Sequence, residues 1–174
     1  KISSLKSFYK FLQKIKQIEV NPLIKHNSLK SPKKIQIPFS EKEVDNVLNN
    51  INYSDGYEGT RDKLIIDLFY TTGIRRAELI NLKLHNIDFH SNTIKVLGKR
   101  NKERIIPIVP IISQQLKKYL NERAEIEQIK DVEYLFLMLK GVKINESFVY
   151  RLINYYFSGV SEKVKKSPHI LRHT

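Results

Sequence analysis

The chain has 174 residues, with Lys+Arg 31 against Asp+Glu 18 and a formal net charge of +13. The total lack of cysteine excludes disulfides and thiolate metal sites, as a reducing compartment would allow. No apolar run approaches the ~18 residues of a membrane-spanning helix, and a field this positive attracts polyanions, nucleic acid first among them.

In chain order, residues 2–18 read as a helix with Ile2, Leu5, Phe8, Leu12 and Ile15 on one stripe, widened by Phe11, and Lys6, Lys10 and Lys14 on a basic side. Asn21-Pro22 is expected to close it, because proline pushes the preceding residue out of helical geometry. Residues 23–37 hold Pro32 and several lysines without steady period and read as a linker. Ser40-Glu41-Lys42-Glu43 is a capping box opening a helix whose apolar face is Val44, Val47, Leu48 and Ile51. A helix from about Thr60 buries Leu64, Ile65, Leu68 and Phe69, and Gly73 is placed to end it in a left-handed conformation. A short helix with Ala77, Leu79, Ile80 and Leu82 follows.

The period then changes from helical to alternating. Ile87–Phe89, Thr93–Leu97 and Arg104–Ile108 read as three short strands, with Gly98–Lys102 as the turn between the last two. Helices are expected over 111–128 and 145–157, with a strand or extended piece at Tyr134–Met138 between them. Ser167-Pro168 starts a last helix, serine as cap and proline in the first turn. The predicted fold class is mainly α with a small antiparallel β-sheet (α+β).

Three segments carry chemistry. In Thr72-Gly73-Ile74-Arg75-Arg76-Ala77-Glu78-Leu79, the glycine lets one helix stop and another start sharply, which projects Arg75 from a first turn. Glu78, three residues on, shares that face and is placed to orient the guanidinium. Gly98-Lys99-Arg100-Asn101-Lys102-Glu103-Arg104 is a basic hairpin tip, a solvated loop or a phosphate-gripping finger on its own terms. In Ser167-Pro168-His169-Ile170-Leu171-Arg172-His173, His169 and Arg172 share a face at a helix start, beside the positive end of the helix dipole. Taken singly, each segment also fits an ordinary surface pair, a charged loop or a structural histidine.

Taken in order, they resemble the Xer-like branch of the tyrosine recombinase/integrase family. Residues 72–79 match its T-G-L/I-R-x-x-E-L motif, residues 98–104 its G-K-x-N-K-E-R hairpin, and residues 167–173 its S-P-H-x-L-R-H motif. The helix around Leu5–Leu12 is similar to the last helix of that family's DNA-clamping domain. The resemblance implies residues 1–22 as the end of a core-binding domain, 23–37 as linker and 38–174 as a catalytic domain lacking its C-terminal part. It also implies strand cleavage through a 3′-phosphotyrosyl link, without metal or cofactor. Arg75 and Arg172 would hold the non-bridging oxygens, His169 would add a donor, and Lys99 would protonate the leaving 5′-oxygen. Glu78 would support Arg75, and Arg100, Lys102 and Arg104 would touch DNA backbone. Arg76 rivals Arg75, but the motif register favours Arg75.

One departure is large. None of the nine tyrosines follows Arg172, whereas the family's nucleophile does, and the chain opens on Lys1 rather than Met. A fragment lacking its nucleophile is therefore expected. The partner implied is double-stranded DNA, engaged as a dimer on each site and a tetramer at synapsis, in the cytoplasm and with no membrane role. The competing readings are a catalytically inactive DNA-binding relative acting as an accessory factor, a type IB topoisomerase, and a basic RNA-binding protein.

Overall fold

A computed structural model describes residues 2–26, 37–98, 102–161 and 166–171. The chain divides into two compact units, Lys1–Ile35 and Gln36–Thr174.

In the first unit, helix α1 (Ile2–Lys14) carries the apolar stripe, and Ile2, Leu5, Phe8, Phe11 and Ile15 all remain exposed. The helix stops before the proline. The Lys16 N–H donates to the Gln13 carbonyl and the Gln17 N–H to the Leu12 carbonyl, with Lys16 at φ 57°. That is a Schellman ending with lysine in the place glycine usually takes, so residue type gave no warning of it.

In the second unit, α2 (Glu41–Asp45) starts from the expected box: the Glu43 N–H donates to Ser40 Oγ, and the Ser40 N–H donates back to the Glu43 carboxylate. One wider helical turn, Asn46–Asn50, extends it and buries Val47. Helix α3 (Tyr57–Thr72) begins earlier than Thr60 and buries Leu64, Ile65, Ile66, Leu68 and Phe69, a surface broad enough to make it the central helix. Short α4 (Arg76–Ile80) leads through a single 3₁₀ turn, Leu84–Asn86, into the sheet. Strands β1 (Ile87–Asp88), β2 (Thr93–Leu97) and β3 (Glu103–Pro107) pair antiparallel in that order, Ile94 opposite Ile87 and Ile106, and Val96 opposite Arg104.

Helix α5 (Pro110–Ala124) packs on α3 and ends short of residue 128. Near its end Arg123 turns inward and donates to the carbonyls of Val132, Tyr134 and Leu135, which fixes the chain where it reverses. The 134–138 segment is extended, held by single bridges from Tyr134 to Lys83 and from Leu137 to Lys143. Helix α6 (Glu146–Ser158), capped by Asn145, buries Val149, Leu152, Ile153, Tyr156 and Phe157, and Phe157 stacks on Phe39. The last element is α7 (Pro168–Leu171). Among the described residues the architecture is mainly helical with one small antiparallel sheet, and the buried apolar residues of the second unit form one continuous core. Among the described residues no helix is long and apolar enough to cross a membrane.

Candidate active site

The first motif is a turn built to expose one arginine. Gly73, at φ 57°, ends α3 and donates its N–H to the Phe69 carbonyl. The Thr72 hydroxyl donates to the Leu68 carbonyl and accepts the Ile74 N–H at 3.2 Å, bridging the break. Ile74 drops into the core, which turns the next residue outward. Arg75 therefore caps α4 in extended geometry, its side chain 47 % exposed.

Glu78, one turn along α4, is the centre of the site. Its side chain is 3 % exposed, yet its two oxygens receive four N–H donors. Oε1 accepts from Nη1 of Arg75 at 2.7 Å and from Nη1 of Arg104; Oε2 accepts from the Arg75 N–H at 2.8 Å and from Nη2 of Arg104 at 2.9 Å. Burial alone pushes this carboxyl's pKa up. The Arg104 fork, then the Arg75 N–H and guanidinium, outweigh burial and hold it at about 2. Two arginines share one carboxylate, so the cluster keeps a positive charge, and that charge faces solvent through Arg75.

Arg104 is 35 % exposed and engaged with Glu78 rather than standing clear at the hairpin tip. Lys102 is exposed, and its carbonyl accepts the Gly98 N–H at 2.7 Å to close the hairpin. Arg76 points elsewhere and pairs with Glu146 at the start of α6. The two neighbouring arginines thus separate by partner: Arg75 belongs to the buried carboxylate, Arg76 to a surface pair.

His169 lies on the exposed side of α7, where Pro168, Ile170 and Leu171 are buried and anchor the helix against α3 and α6. Helix α6 also packs on α4, so the elements bearing Arg75 and His169 share a neighbour. Lys99, Arg100 and Arg172 lie outside the described residues. The structure brings Arg75, Glu78 and Arg104 together. Of the tyrosines near the end of α6, Tyr156 is buried and donates to the Asp62 carboxylate at 3.3 Å; burial and that carboxylate raise its pKa. Tyr155 is 74 % exposed. Among the described residues no group of three or more His, Cys, Asp or Glu is arranged for a metal ion.

The Arg104–Glu78 contact was not foreseen from sequence, and strand alternation is the signal that carried it. Arg104 and Ile106 share a face of β3, and Ile106 is buried.

This fold is shared with known proteins. Residues 38–174 match the model of the phage integrase family. The chain belongs to that family, the tyrosine recombinases. It is 38 % identical over 177 residues to the tyrosine recombinase XerC of Staphylococcus carnosus (strain TM300), covering all of this chain and 58 % of that protein. Among solved structures it resembles the XerA recombinase (TM-score 0.67, 28 % identity, 99 % of this chain and 57 % of that one). It also resembles the XerH site-specific recombinase bound to difH substrate in a pre-cleavage complex (TM-score 0.70, 26 % identity, 95 % and 49 %). The chain spans somewhat over half the length of the curated relatives it matches.

Proposed function

We propose that the protein containing this chain is a site-specific DNA recombinase that cuts and rejoins strands through a 3′-phosphotyrosyl intermediate. The observation that carries the reading is the exposed Arg75 guanidinium held at a helix start by buried Glu78, in a chain of this family. A tyrosine oxygen attacks the scissile phosphorus, the bond to the 5′-oxygen breaks, and the ester keeps the energy for rejoining. Arg75 and Arg172 neutralise the charge gathering on the non-bridging oxygens, for which planar, permanently charged forks are suited. His169 donates to the same phosphate and helps take the tyrosine proton, while Lys99 protonates the departing 5′-oxygen. Glu78 orients Arg75, and Arg100 and Lys102 touch DNA backbone. The nucleophile is proposed to lie beyond Thr174, since none of the nine tyrosines follows Arg172 and the Tyr156 hydroxyl is committed to Asp62.

The same reading makes residues 1–22 the last helix of a DNA-clamping domain, which gives the exposed stripe of α1 a partner helix layer. Residues 23–37 are its linker and 38–174 the catalytic domain. The partner is duplex DNA, bound by a dimer on each site and a tetramer at synapsis, in the cytoplasm.

A nicked duplex that traps the covalent adduct on a denaturing gel tests the reading. The full-length protein should form the adduct and these 174 residues alone should not. An adduct on the short chain would place the nucleophile within it, at Tyr155 first. Lys99→Ala should slow cleavage, and a sulfur leaving group at the 5′ bridge should restore it. Full-length protein that binds DNA without any adduct would instead be an accessory DNA-binding relative. Binding itself should weaken by about 10³–10⁵-fold between roughly 50 and 200 mM salt, given about 6–10 phosphate contacts.

A further inference from the structure

We propose that Arg104 is a positioning residue that acts through Glu78 to couple the Arg75 turn to the hairpin carrying Lys99, instead of gripping DNA. This rests on the reading of the site given above. Alternation along β3 is the first support. Glu103 and Ile105 face outward, while Arg104 and Ile106 face the side on which α4 packs against β2. An arginine in that register reaches Glu78, and its two terminal nitrogens span both carboxylate oxygens.

The donor count is the second. A carboxylate offers about four lone-pair sites. Arg104 fills two, the Arg75 N–H fills one, and a single nitrogen of the Arg75 guanidinium fills the last. Arg75 is thereby held at one corner and the rest of its fork remains available to a phosphate. Without Arg104, two sites open on a carboxylate whose side chain is 3 % exposed. Buried anions do not stay unpaired. Arg75 is already bonded to this carboxylate through one nitrogen, and it is drawn further in toward Glu78 and away from solvent.

The hairpin is the third. A Cβ at Gly98 would lie 3.5 Å from Oε1 of Glu78 and 3.7 Å from Nη1 of Arg104. Both are ordinary contact distances, so the residue just before Lys99 adjoins the same ion cluster, and the tight approach, 3.1 Å, is to the Lys102 carbonyl. The Gly98 N–H donates to the Lys102 carbonyl and ties the ends of β2 and β3 together beside that cluster. One carboxylate thus registers the turn that presents Arg75 and the root of the β2–β3 strand pair.

The test uses the full-length protein with Arg104→Lys and Arg104→Ala, the lysine variant being the milder one should the alanine variant fold poorly. A single ammonium cannot span both oxygens, so Lys should retain only part of the effect. The expected result is DNA affinity and salt slope like the wild type, with adduct formation at saturating nicked DNA slowed by about 10–100-fold. The acid limb of the cleavage profile should also move to higher pH, because Glu78 loses the donors that keep it ionised. Normal cleavage at saturation with a salt slope reduced by about one overturns the proposal and makes Arg104 a phosphate contact. Wild-type protein that forms no adduct overturns the functional reading instead. In that case ¹³C NMR of the Glu78 carboxyl decides the coupling on its own: a midpoint that rises in Arg104→Lys supports it, and an unmoved midpoint overturns it.

Discussion

Two arginine clusters lie in the same unit of this molecule and do opposite things. At Glu78, two guanidiniums share one carboxylate, and Arg75 stays 47 % exposed. At Arg61, one guanidinium only 2 % exposed meets two carboxylates, Asp62 at 2.8 Å and Glu58 at 3.4 Å. It also donates to the Leu137 carbonyl at 3.2 Å and lies over the Phe148 ring, 4.5 Å from its centroid. The first cluster keeps surplus positive charge and presents it; the second neutralises its charge and closes over it. Arg123 is buried as Arg61 is, but its fork is filled by three backbone carbonyls instead of carboxylates. Net charge is thus a poor guide to the binding surface. What separates Arg75 from Arg61 and Arg123 is a partly bonded fork facing water, not the absence of an acidic partner.

The largest expected effect breaks the comparison by exchanging the two outcomes. Arg61→Ala leaves Asp62 buried without its cation, and removing one partner of such a pair costs about 3–5 kcal/mol. The denaturant midpoint of the 174-residue chain should fall accordingly. Arg75→Ala should move that midpoint by less than about 1 kcal/mol, since Glu78 keeps the Arg104 fork. In the full-length protein the same change should cut adduct formation by at least about 10²–10³-fold, the usual cost of losing a fixed charge donor at a transition state. A chain destabilised as much by Arg75→Ala as by Arg61→Ala would mean that both clusters are structural.

Acid sharpens the contrast at an intermediate level. The Glu78 carboxyl is held at about 2 in the folded chain and returns to its ordinary 4.5 on unfolding. Its network therefore stabilises the fold fully above pH 4.5 and loses that contribution as pH falls toward 2. Glu78→Gln should cost roughly 2–3 kcal/mol at neutral pH, and the gap to wild type should close below about pH 3. Asp62 and Asp67 behave in the other sense, since burial raises both. They are common to both proteins and cancel from the difference. Parallel stability curves down to low pH would show that Glu78 is not the ionised centre of the site.

How far the sequence showed this depended on the reach of each interaction. Features settled within a few residues were legible. Ser40 with Glu43 and Gly73 at the end of α3 are each local hydrogen-bond chemistry. So was the alternation that yields β2 and β3. The end of α1 was not, because Lys16 takes the left-handed position at a residue type that rarely does so. Arg75 and Glu78 were readable as a pair three apart on one face. Arg104 was not readable as their third member, since it reaches Glu78 across 26 positions of sequence and only the packing of β2 against α4 brings them together. The partner of Arg76 is hidden for the same reason. Seventy positions separate it from Glu146.

That pair supplies the smallest effect and the finest test of the comparison, because Arg76 sits beside Arg75 and has a different partner. Its guanidinium is 39 % exposed and its partner Glu146 62 % exposed, so water screens both charges. Exposed ion pairs contribute between about 0.2 and 1 kcal/mol, and salt weakens them further. Arg76→Ala and Glu146→Ala should each shift the denaturant midpoint by no more than that, and the double variant should show a coupling below about 1 kcal/mol. Adduct formation at saturating DNA should stay within a few-fold of wild type for Arg76→Ala, against the collapse expected for Arg75→Ala. A neighbouring arginine with nearly the same exposure would then have no part in the chemistry, which isolates the buried carboxylate as the feature that makes Arg75 functional. Should Arg76→Ala abolish the adduct while Arg75→Ala spares it, the motif register and the Glu78 contact would both have been read onto the wrong residue.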